Sequence, residues 1–214
     1  MPAPRLRTIV VAATKGGVGK TTLSAAFAVR AARESSRVAL LDLDPQESLA
    51  SWWDRRKRPS NPHLFEIDAT MEGIGLIAGE GYEWVIVDTP PAILDRIEPA
   101  IAMADLVLIP TRASPLDIEA VRIIDELCER HRKAHAYIIN AADPRWKITK
   151  TAAQYIRANG GTVLEPVIRF RLNYAAAMTL GRAGPEMDKD AAAEIDELWN
   201  AVRDLANAAA GAGR

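Results

Sequence analysis

The segment from Thr14 to Thr22, TKGGVGKTT, brings glycines, two lysines and several hydroxyl side chains into one short loop. It directly follows an apolar run typical of a buried strand, and it directly precedes a stretch with helical periodicity. In such a turn, glycines let backbone N–H groups approach a polyphosphate, and the helix N-terminus adds partial positive charge. Lys20 would reach the outer phosphates, and the Thr21 hydroxyl would ligate Mg²⁺. The segment therefore predicts a phosphate-binding loop.

The loop departs from the standard phosphate-binding pattern at one position. That pattern, G-x-x-x-x-G-K-[ST], requires a glycine five residues before Gly19, where this chain has Thr14. A second lysine, Lys15, stands next to Gly16 and Gly17 instead. A chance glycine-rich turn is the alternative interpretation. The flanking strand and helix favour the phosphate loop.

Carboxylates follow two further apolar strands. Asp42 and Asp44 lie at the end of VALLDLDPQ, and Asp88 ends the run WVIVD. Ligands bind beyond the carboxyl ends of the strands in open α/β sheets, and residues two apart in a strand share one side. We therefore expect these carboxylates to lie at the phosphate site.

Together these three elements resemble those of the ParA/MinD family of P-loop ATPases, whose deviant Walker A loop carries an additional lysine. The resemblance covers nearly the whole chain, from residue 8 to about 206, and is strong at the three nucleotide elements. It implies ATP and Mg²⁺ as cofactors and Mg²⁺-dependent ATP hydrolysis that is slow without a partner. It also implies an ATP-sandwich dimer, in which Lys15 touches the phosphates held by the other subunit.

The resemblance further assigns roles to single residues. Lys15, Lys20 and Asp44 are the expected catalytic residues, with Asp44 positioning the attacking water. Thr21, Asp42 and Asp88 are the expected magnesium residues. The residues expected to hold the nucleotide are Lys15, Gly16, Gly17, Val18, Gly19, Lys20, Thr21, Thr22 and Asn140. Asn140 matches the position from which family members contact adenine, although an asparagine that merely ends a strand is an open alternative.

The elements that must position these residues alternate between Val/Ile-rich runs and helical stretches, which predicts parallel strands covered by crossover helices. We therefore expect an α/β, three-layer P-loop NTPase fold with a mostly parallel central sheet flanked by helices. It should form one domain over residues 1–214 with a frayed tail at about 207–214. The candidate strands span residues 8–13, 37–43, 84–88, 106–110, 136–140 and 162–168, with a short one near 64–67. The candidate helices span residues 20–34, 46–58, 93–104, 115–132, 148–159, 173–181 and 188–209.

Composition excludes several classes of protein. The 214 residues carry 27 Lys plus Arg against 28 Asp plus Glu, so the net charge of -1 gives no overall attraction to nucleic acid or membrane. One cysteine, Cys128, allows no intramolecular disulfide, and two thiols in a dimer cannot hold a four-thiolate cluster like that of the iron-protein relatives. We find no signal peptide or membrane span and expect a cytoplasmic, nucleoid-associated protein.

The ends of the chain favour one branch of the family. A MinD-like protein should end in a basic amphipathic helix, whereas residues 188–209 are acidic, so we expect no membrane partner. The most favoured function is an ATP-dependent partition ATPase that segregates DNA or positions cargo, with a small adaptor or centromere-binding protein as partner. The alternatives are a dethiobiotin-synthetase-like ligase, a MinD-like spatial regulator and a nucleotide-gated adaptor.

Family members bind DNA nonspecifically in the ATP state, so local cations are candidates for this contact. Arg169 and Arg171 alternate after the last strand and would share one side of an extended chain. Lys147 and Lys150 lie along one predicted helix, and scattered solvated cations are the alternative interpretation. The next candidate is the run 55–58, beside Trp52 and Trp53. Three histidines are expected to be surface residues rather than metal ligands: His63, His131 and His135.

Overall fold

The computed structural model describes residues 5–34 and 36–212. The strands are β1 (Arg7–Val11), β2 (Val38–Asp42), β3 (His63–Phe65), β4 (Trp84–Asp88), β5 (Leu106–Thr111), β6 (Ala134–Ile139) and β7 (Val163–Leu164). The helices are α1 (Lys20–Arg33), α2 (Ser48–Arg55), α3 (Met71–Gly79), α4 (Leu94–Met103), α5 (Pro115–Arg130), α6 (Lys147–Ala158), α7 (Leu172–Thr179) and α8 (Lys189–Ala212). A 3₁₀ turn at Gly184–Glu186 precedes α8.

The seven strands form one sheet in the order β3-β2-β4-β1-β5-β6-β7, and every pair is parallel. Each connection between neighbouring parallel strands must cross over the sheet, which places helices on both faces. The predicted three-layer α/β fold is confirmed. All carboxyl ends of the strands therefore meet at one edge of the sheet, where the predicted site residues lie.

Each face of the sheet carries its own apolar core. On one face, α1, α2 and α8 pack around Trp52, Phe27 and Trp199, with the ring centroids of Phe27 and Trp199 6.0 Å apart. On the other face, α4, α5 and α6 contribute apolar side chains such as Ile97 and Ile124. Because the strands between these layers are buried on both faces, they read as continuous apolar runs.

Several elements differ from the sequence-based expectation, three of them with a clear physical reason or consequence. Helix α3 was not predicted, because its nine residues include three glycines, which are poor helix formers. Strand β7 pairs with β6 only at Val163 and Leu164, since Pro166 has no N–H to continue the ladder. Helix α8 continues to Ala212, past the expected end at 209. The last two residues of the expected frayed tail, 213–214, lie outside the described residues, as do residues 1–4.

Cys128 lies on the buried face of α5, as its helical spacing predicted. Its thiol is inaccessible, and burial raises its pKa to about 12. The group therefore behaves as a small core side chain. Within residues 5–34 and 36–212, no helix combines the length and the apolar character that a membrane crossing requires.

Candidate functional site

The loop between β1 and α1 depends on two glycines. Gly17 and Gly19 have φ values of 71° and 97°, a region that side chains with a Cβ rarely adopt. A Cβ on Gly19 would stand 2.2 Å from Nδ2 of Asn140. Position 19 therefore accepts only glycine, because both its backbone conformation and its neighbour exclude a side chain.

The loop presents backbone donors at the start of a long helix. Gly19 is the N-cap of α1 and makes no side-chain capping bond, and the first turn contains no acidic residue. In the described part of the chain, the N–H groups of Val18 and Gly19 have no acceptor. Unpaired N–H groups at a helix N-terminus form a binding site for an anion.

Lys20 places its ammonium inside this loop. The residue is 7% exposed, and Nζ donates to the carbonyl oxygen of Lys15 at 3.2 Å. Burial lowers the pKa of Lys20, while the carboxylates of Asp88 and Asp44 act in the opposite direction. A cation desolvated in this way gains strongly from an anionic ligand.

Asp88 joins the end of β4 to the first turns of α1. Its carboxylate accepts hydrogen bonds from Thr21 Oγ1 at 2.6 Å and from Ser24 Oγ at 3.3 Å. Burial raises the pKa of Asp88 to about 7, and the Thr21 hydrogen bond opposes that rise. Ser24 was missed from the sequence, although it lies three residues after Thr21 on the same side of the helix.

Asp42 is the neighbour of Asp88 in the sheet and also organises α2. The two aspartates are paired in register between β2 and β4. Asp42 Oδ2 accepts from the N–H groups of Leu49 and Ala50 at 2.9 and 3.0 Å, and Oδ1 accepts from Asp44 N–H at 3.1 Å. Burial raises the pKa of Asp42, and these backbone donors oppose the rise. Asp42 is thus the carboxylate that caps the first turn of α2.

Asp44 lies beyond the end of β2, so it does not continue the strand alternation with Asp42. Its Oδ1 accepts from the N–H of Gln46 at 3.0 Å, and the side chain is half-buried. The Asp44 carboxylate therefore lies in a turn between the sheet edge and α2.

Two side chains from neighbouring strands hold the loop carbonyls. Arg112, after β5, donates to the carbonyl oxygen of Gly17 at 2.7 Å, and Asn140, after β6, donates to that of Val18 at 2.7 Å. Lys15 lies at the rim of the loop and is paired with Asp117 in the first turn of α5. The elements β5, β6 and α5 thus fix the loop from one side.

The DNA candidates fall into two groups. Arg171 is 14% exposed at its side chain and donates two hydrogen bonds to Glu194, and Arg169 lies 3.7 Å from the same carboxylate. Lys147 and Lys150 are exposed in the first turn of α6, with no ion pair in the described residues. Arg171 therefore stabilises the fold through its pairing with Glu194, whereas Lys147 and Lys150 are accessible to a ligand.

The remaining candidates have structural partners. Trp52 and Trp53 are core residues rather than an exposed stacking surface. His131 contacts Glu98, and His135 contacts Asp125. No cluster of three or more metal-ligating side chains occurs among residues 5–34 and 36–212.

The donor set fits a magnesium–nucleotide complex. The free N–H groups and Lys20 suit a polyphosphate, and the Thr21 hydroxyl beside Asp88 and Asp42 offers the oxygen ligands that Mg²⁺ prefers. Placed at the carboxyl edge of a parallel sheet, this arrangement defines a P-loop nucleotide-binding protein.

The family model for the CobQ/CobB/MinD/ParA nucleotide-binding domain matches residues 9–182, and the chain belongs to this family. It is 30% identical to maintenance of carboxysome distribution protein A of Halothiobacillus neapolitanus, over 94% of this chain and 99% of that protein. It is 27% identical to the chromosome-partitioning ATPase Soj of Thermus thermophilus, over 83% of this chain and 87% of Soj.

A solved ATP complex of Cyanothece McdA shares the fold, with a TM-score of 0.72 at 17% identity over 94% of this chain and 96% of that chain. The family assignment made from the phosphate loop, to ParA-type P-loop ATPases, is confirmed.

Proposed function

We propose that this protein is a partition ATPase that dimerises around ATP, binds DNA without sequence preference and is reset by ATP hydrolysis. The observation that carries the proposal is the combination of a buried Lys20 inside the loop with a second lysine, Lys15, at its rim. Lys20 serves the nucleotide of its own subunit, whereas Lys15 is partly exposed and can reach outward once its ion pair with Asp117 opens. Its relatives are named for carboxysome distribution and for chromosome partitioning.

In this mechanism each residue has a distinct task. The N–H groups of the loop and Lys20 bind the phosphates, and the Thr21 hydroxyl with Asp88 and Asp42 would hold Mg²⁺, which would supply positive charge to neutralise the phosphate oxygens. Asp44 orients the water and accepts its proton, and Lys15 of the other subunit stabilises charge on the transferred phosphoryl group.

The DNA contact is the first turn of α6 and its surroundings. Lys147 and Lys150 are exposed there, and Trp146 is 58% exposed beside them. The first turn of α6 has no acidic residue, so the helix N-terminus adds to the positive potential. A dimer carries two copies of this basic surface around Lys147 and Lys150, so the number of contacts with DNA phosphates rises only when ATP joins two subunits. Such a protein would reside on the nucleoid in the cytoplasm, with a small adaptor linking it to cargo.

The test is an electrophoretic mobility shift with duplexes of unrelated sequence, with and without ATP. We expect ATP-dependent retardation of every duplex, weakening steeply with salt. The double variant Lys147→Ala/Lys150→Ala should lose this retardation for all sequences. Arg132→Ala/Lys189→Ala removes the same charge from exposed sites elsewhere and serves as the matched control. Equal retardation in both variants would move the DNA contact away from α6, and no retardation of the wild type would overturn the DNA step.

ATPase assays with and without DNA and a partner extract test the reaction class. A partition ATPase should turn over slowly alone and faster with both additions. A dethiobiotin-synthetase-like ligase should need a small-molecule substrate instead, and a nucleotide-gated adaptor should show negligible turnover under every condition.

A further inference from the structure

Two side chains outside the phosphate loop control which way its peptide groups face. Arg112 lies directly after β5 and Asn140 directly after β6, the two strands on one side of β1. Their nitrogen atoms lie 2.7 Å from the carbonyl oxygens of Gly17 and Val18, respectively. These carbonyls belong to consecutive residues at the centre of the loop.

A planar trans peptide points its C=O and the following N–H in opposite directions. Holding the Gly17 carbonyl towards Arg112 therefore turns the N–H of Val18 away from Arg112. Holding the Val18 carbonyl towards Asn140 does the same for the N–H of Gly19. Both belong to the group of loop and first-turn N–H groups that have no acceptor in the described residues.

The Asn140 side chain is held at both of its polar atoms. Oδ1 accepts from the N–H of Ala141 at 2.9 Å, which leaves Nδ2 to face the loop. The backbone N–H of Asn140 donates to the carbonyl of Thr111 at 2.8 Å, anchoring the residue to β5. Since Gly19 has no Cβ, the amide approaches the loop backbone directly. The amide is thus a rigid donor that meets the loop where it turns into α1.

We propose that Arg112 and Asn140 are positioning residues that orient the phosphate-binding N–H groups, so that both act on phosphate affinity rather than on the choice of base. The proposal rests on the nucleotide site of the proposed function and adds two residues to it. It also gives Asn140 a different task from the contact with adenine that the family resemblance implies.

The test separates phosphate from base by using inorganic tripolyphosphate, which has neither sugar nor base. Displacement of a fluorescent ATP analogue by ATP, GTP and tripolyphosphate is measured in EDTA for the wild type, Arg112→Ala and Asn140→Ala. A net contribution typical of one hydrogen bond predicts that each variant weakens all three competitors alike, by about fivefold. Arg122→Ala, which removes the same charge from an exposed site on α5, should leave all three affinities unchanged.

Thermal midpoints of the same variants show whether the fold is intact. If Arg112 and Asn140 only stabilised the fold, the variants would have a lower thermal midpoint, and the affinities for ATP, GTP and tripolyphosphate would not fall by one common factor. Unchanged tripolyphosphate affinity in both variants, with a change confined to the ATP-to-GTP ratio in Asn140→Ala, would overturn the proposal and leave the nucleotide site standing. A wild type that binds none of the three competitors would overturn the nucleotide site itself and this inference with it.

Discussion

The ammonium of Lys15 lies 3.0 Å from Oδ1 of Asp117, in the first turn of α5. Burial alone would raise the pKa of Asp117, but hydrogen bonds from Ser114 and Lys15 hold it below its ordinary value. The carboxylate is therefore charged and ready to retain the lysine. In the proposed dimer Lys15 must reach the phosphates of the other subunit, so the ion pair with Asp117 competes with dimer formation.

We expect Asp117→Asn to strengthen ATP-dependent dimerisation, because it releases Lys15. Such an ion pair contributes at most about 1 kcal/mol, and two of them open in each dimer, so the dimer dissociation constant should fall by about 4- to 25-fold. Light scattering over a concentration series with ATP measures this constant. Asp95→Asn, an exposed aspartate on α4, is the control and should leave it unchanged. An equal constant for the two variants would show that Asp117 does not restrain Lys15.

Lys20→Ala should weaken ATP binding by about a hundredfold or more, because the loop loses its buried cation. Isothermal titration calorimetry measures the affinity directly. Lys15→Ala is the informative comparison: it should bind ATP nearly as well as the wild type but stay monomeric. ATP affinity of Lys20→Ala within about a factor of two of the wild type would contradict the loop assignment.

Asp44→Ala should allow the ATP-held dimer to form while hydrolysis falls by about a hundredfold, since positioned acid–base groups contribute about 10²–10⁴-fold. Phosphate release and size-exclusion chromatography with ATP measure the two properties. Asp42→Ala should lower hydrolysis as well, because Mg²⁺ loses one of its proposed residues, and it should also lower the free energy of unfolding by about 1–2 kcal/mol, because the first turn of α2 loses its cap. If Asp44→Ala remained monomeric with ATP, its role would lie in assembly rather than in the reaction.

Arg171→Ala should lower the free energy of unfolding by about 2–4 kcal/mol, because the mostly buried carboxylate of Glu194 loses its two shortest hydrogen bonds and keeps only the longer contacts with Arg169. Chemical denaturation checks this value. Arg157→Ala breaks an exposed pair with Glu165 and should cost less than about 1 kcal/mol. If the free energy of unfolding of Arg171→Ala were unchanged, Arg171 would have no stabilising role and would again be a candidate for the contact with DNA.

Glu186 should make the stability of the protein pH-dependent. Burial would raise its pKa, but hydrogen bonds from Arg56 and from the N–H of Ala183 hold it below the ordinary value. This contribution is full above the unfolded pKa and is lost as the pH falls through the folded value. Glu186→Gln should therefore cost about 1–3 kcal/mol at pH 7, with the difference shrinking below about pH 4.5.

Denaturation curves of Glu186→Gln at several pH values measure this trend. Glu165→Gln, which weakens an exposed pair, should show little difference from the wild type at any pH. A Glu186→Gln difference that stayed constant down to pH 3 would contradict the electrostatic explanation.

The local pattern of the sequence predicted most of the fold. Helix α5 has apolar residues at helical spacing, and its N-cap Ser114 with Pro115 at the first position marks its start clearly. Helix α3 was missed because glycines dominate its composition, although Thr70, whose hydroxyl accepts from Gly73 N–H, is a recognisable cap. Local sequence signals therefore predict a helix where apolar periodicity and capping residues agree, and they fail where several glycines lower the helix propensity.

Contacts between distant parts of the chain could not be read in the same way. The bonds of Asn140 and Arg112 to the loop join residues about a hundred or more positions apart, so they depend on the order of the strands. The pairing of Arg171 with Glu194 likewise depends on how α8 returns to the sheet. The motif predicts which residues form the site, and that assignment stays a prediction, whereas the partners of these residues could be found only from the tertiary structure.

The burial of Cys128 makes this protein well suited to optical studies. Its thiol is inaccessible and its pKa is raised to about 12, so maleimide dyes should not label the native chain. A cysteine introduced at an exposed position such as Glu126 would then be the single reactive thiol in the chain. One dye per subunit, added without removing the native cysteine, would allow single-molecule fluorescence to test whether two subunits meet and separate during each round of nucleotide turnover.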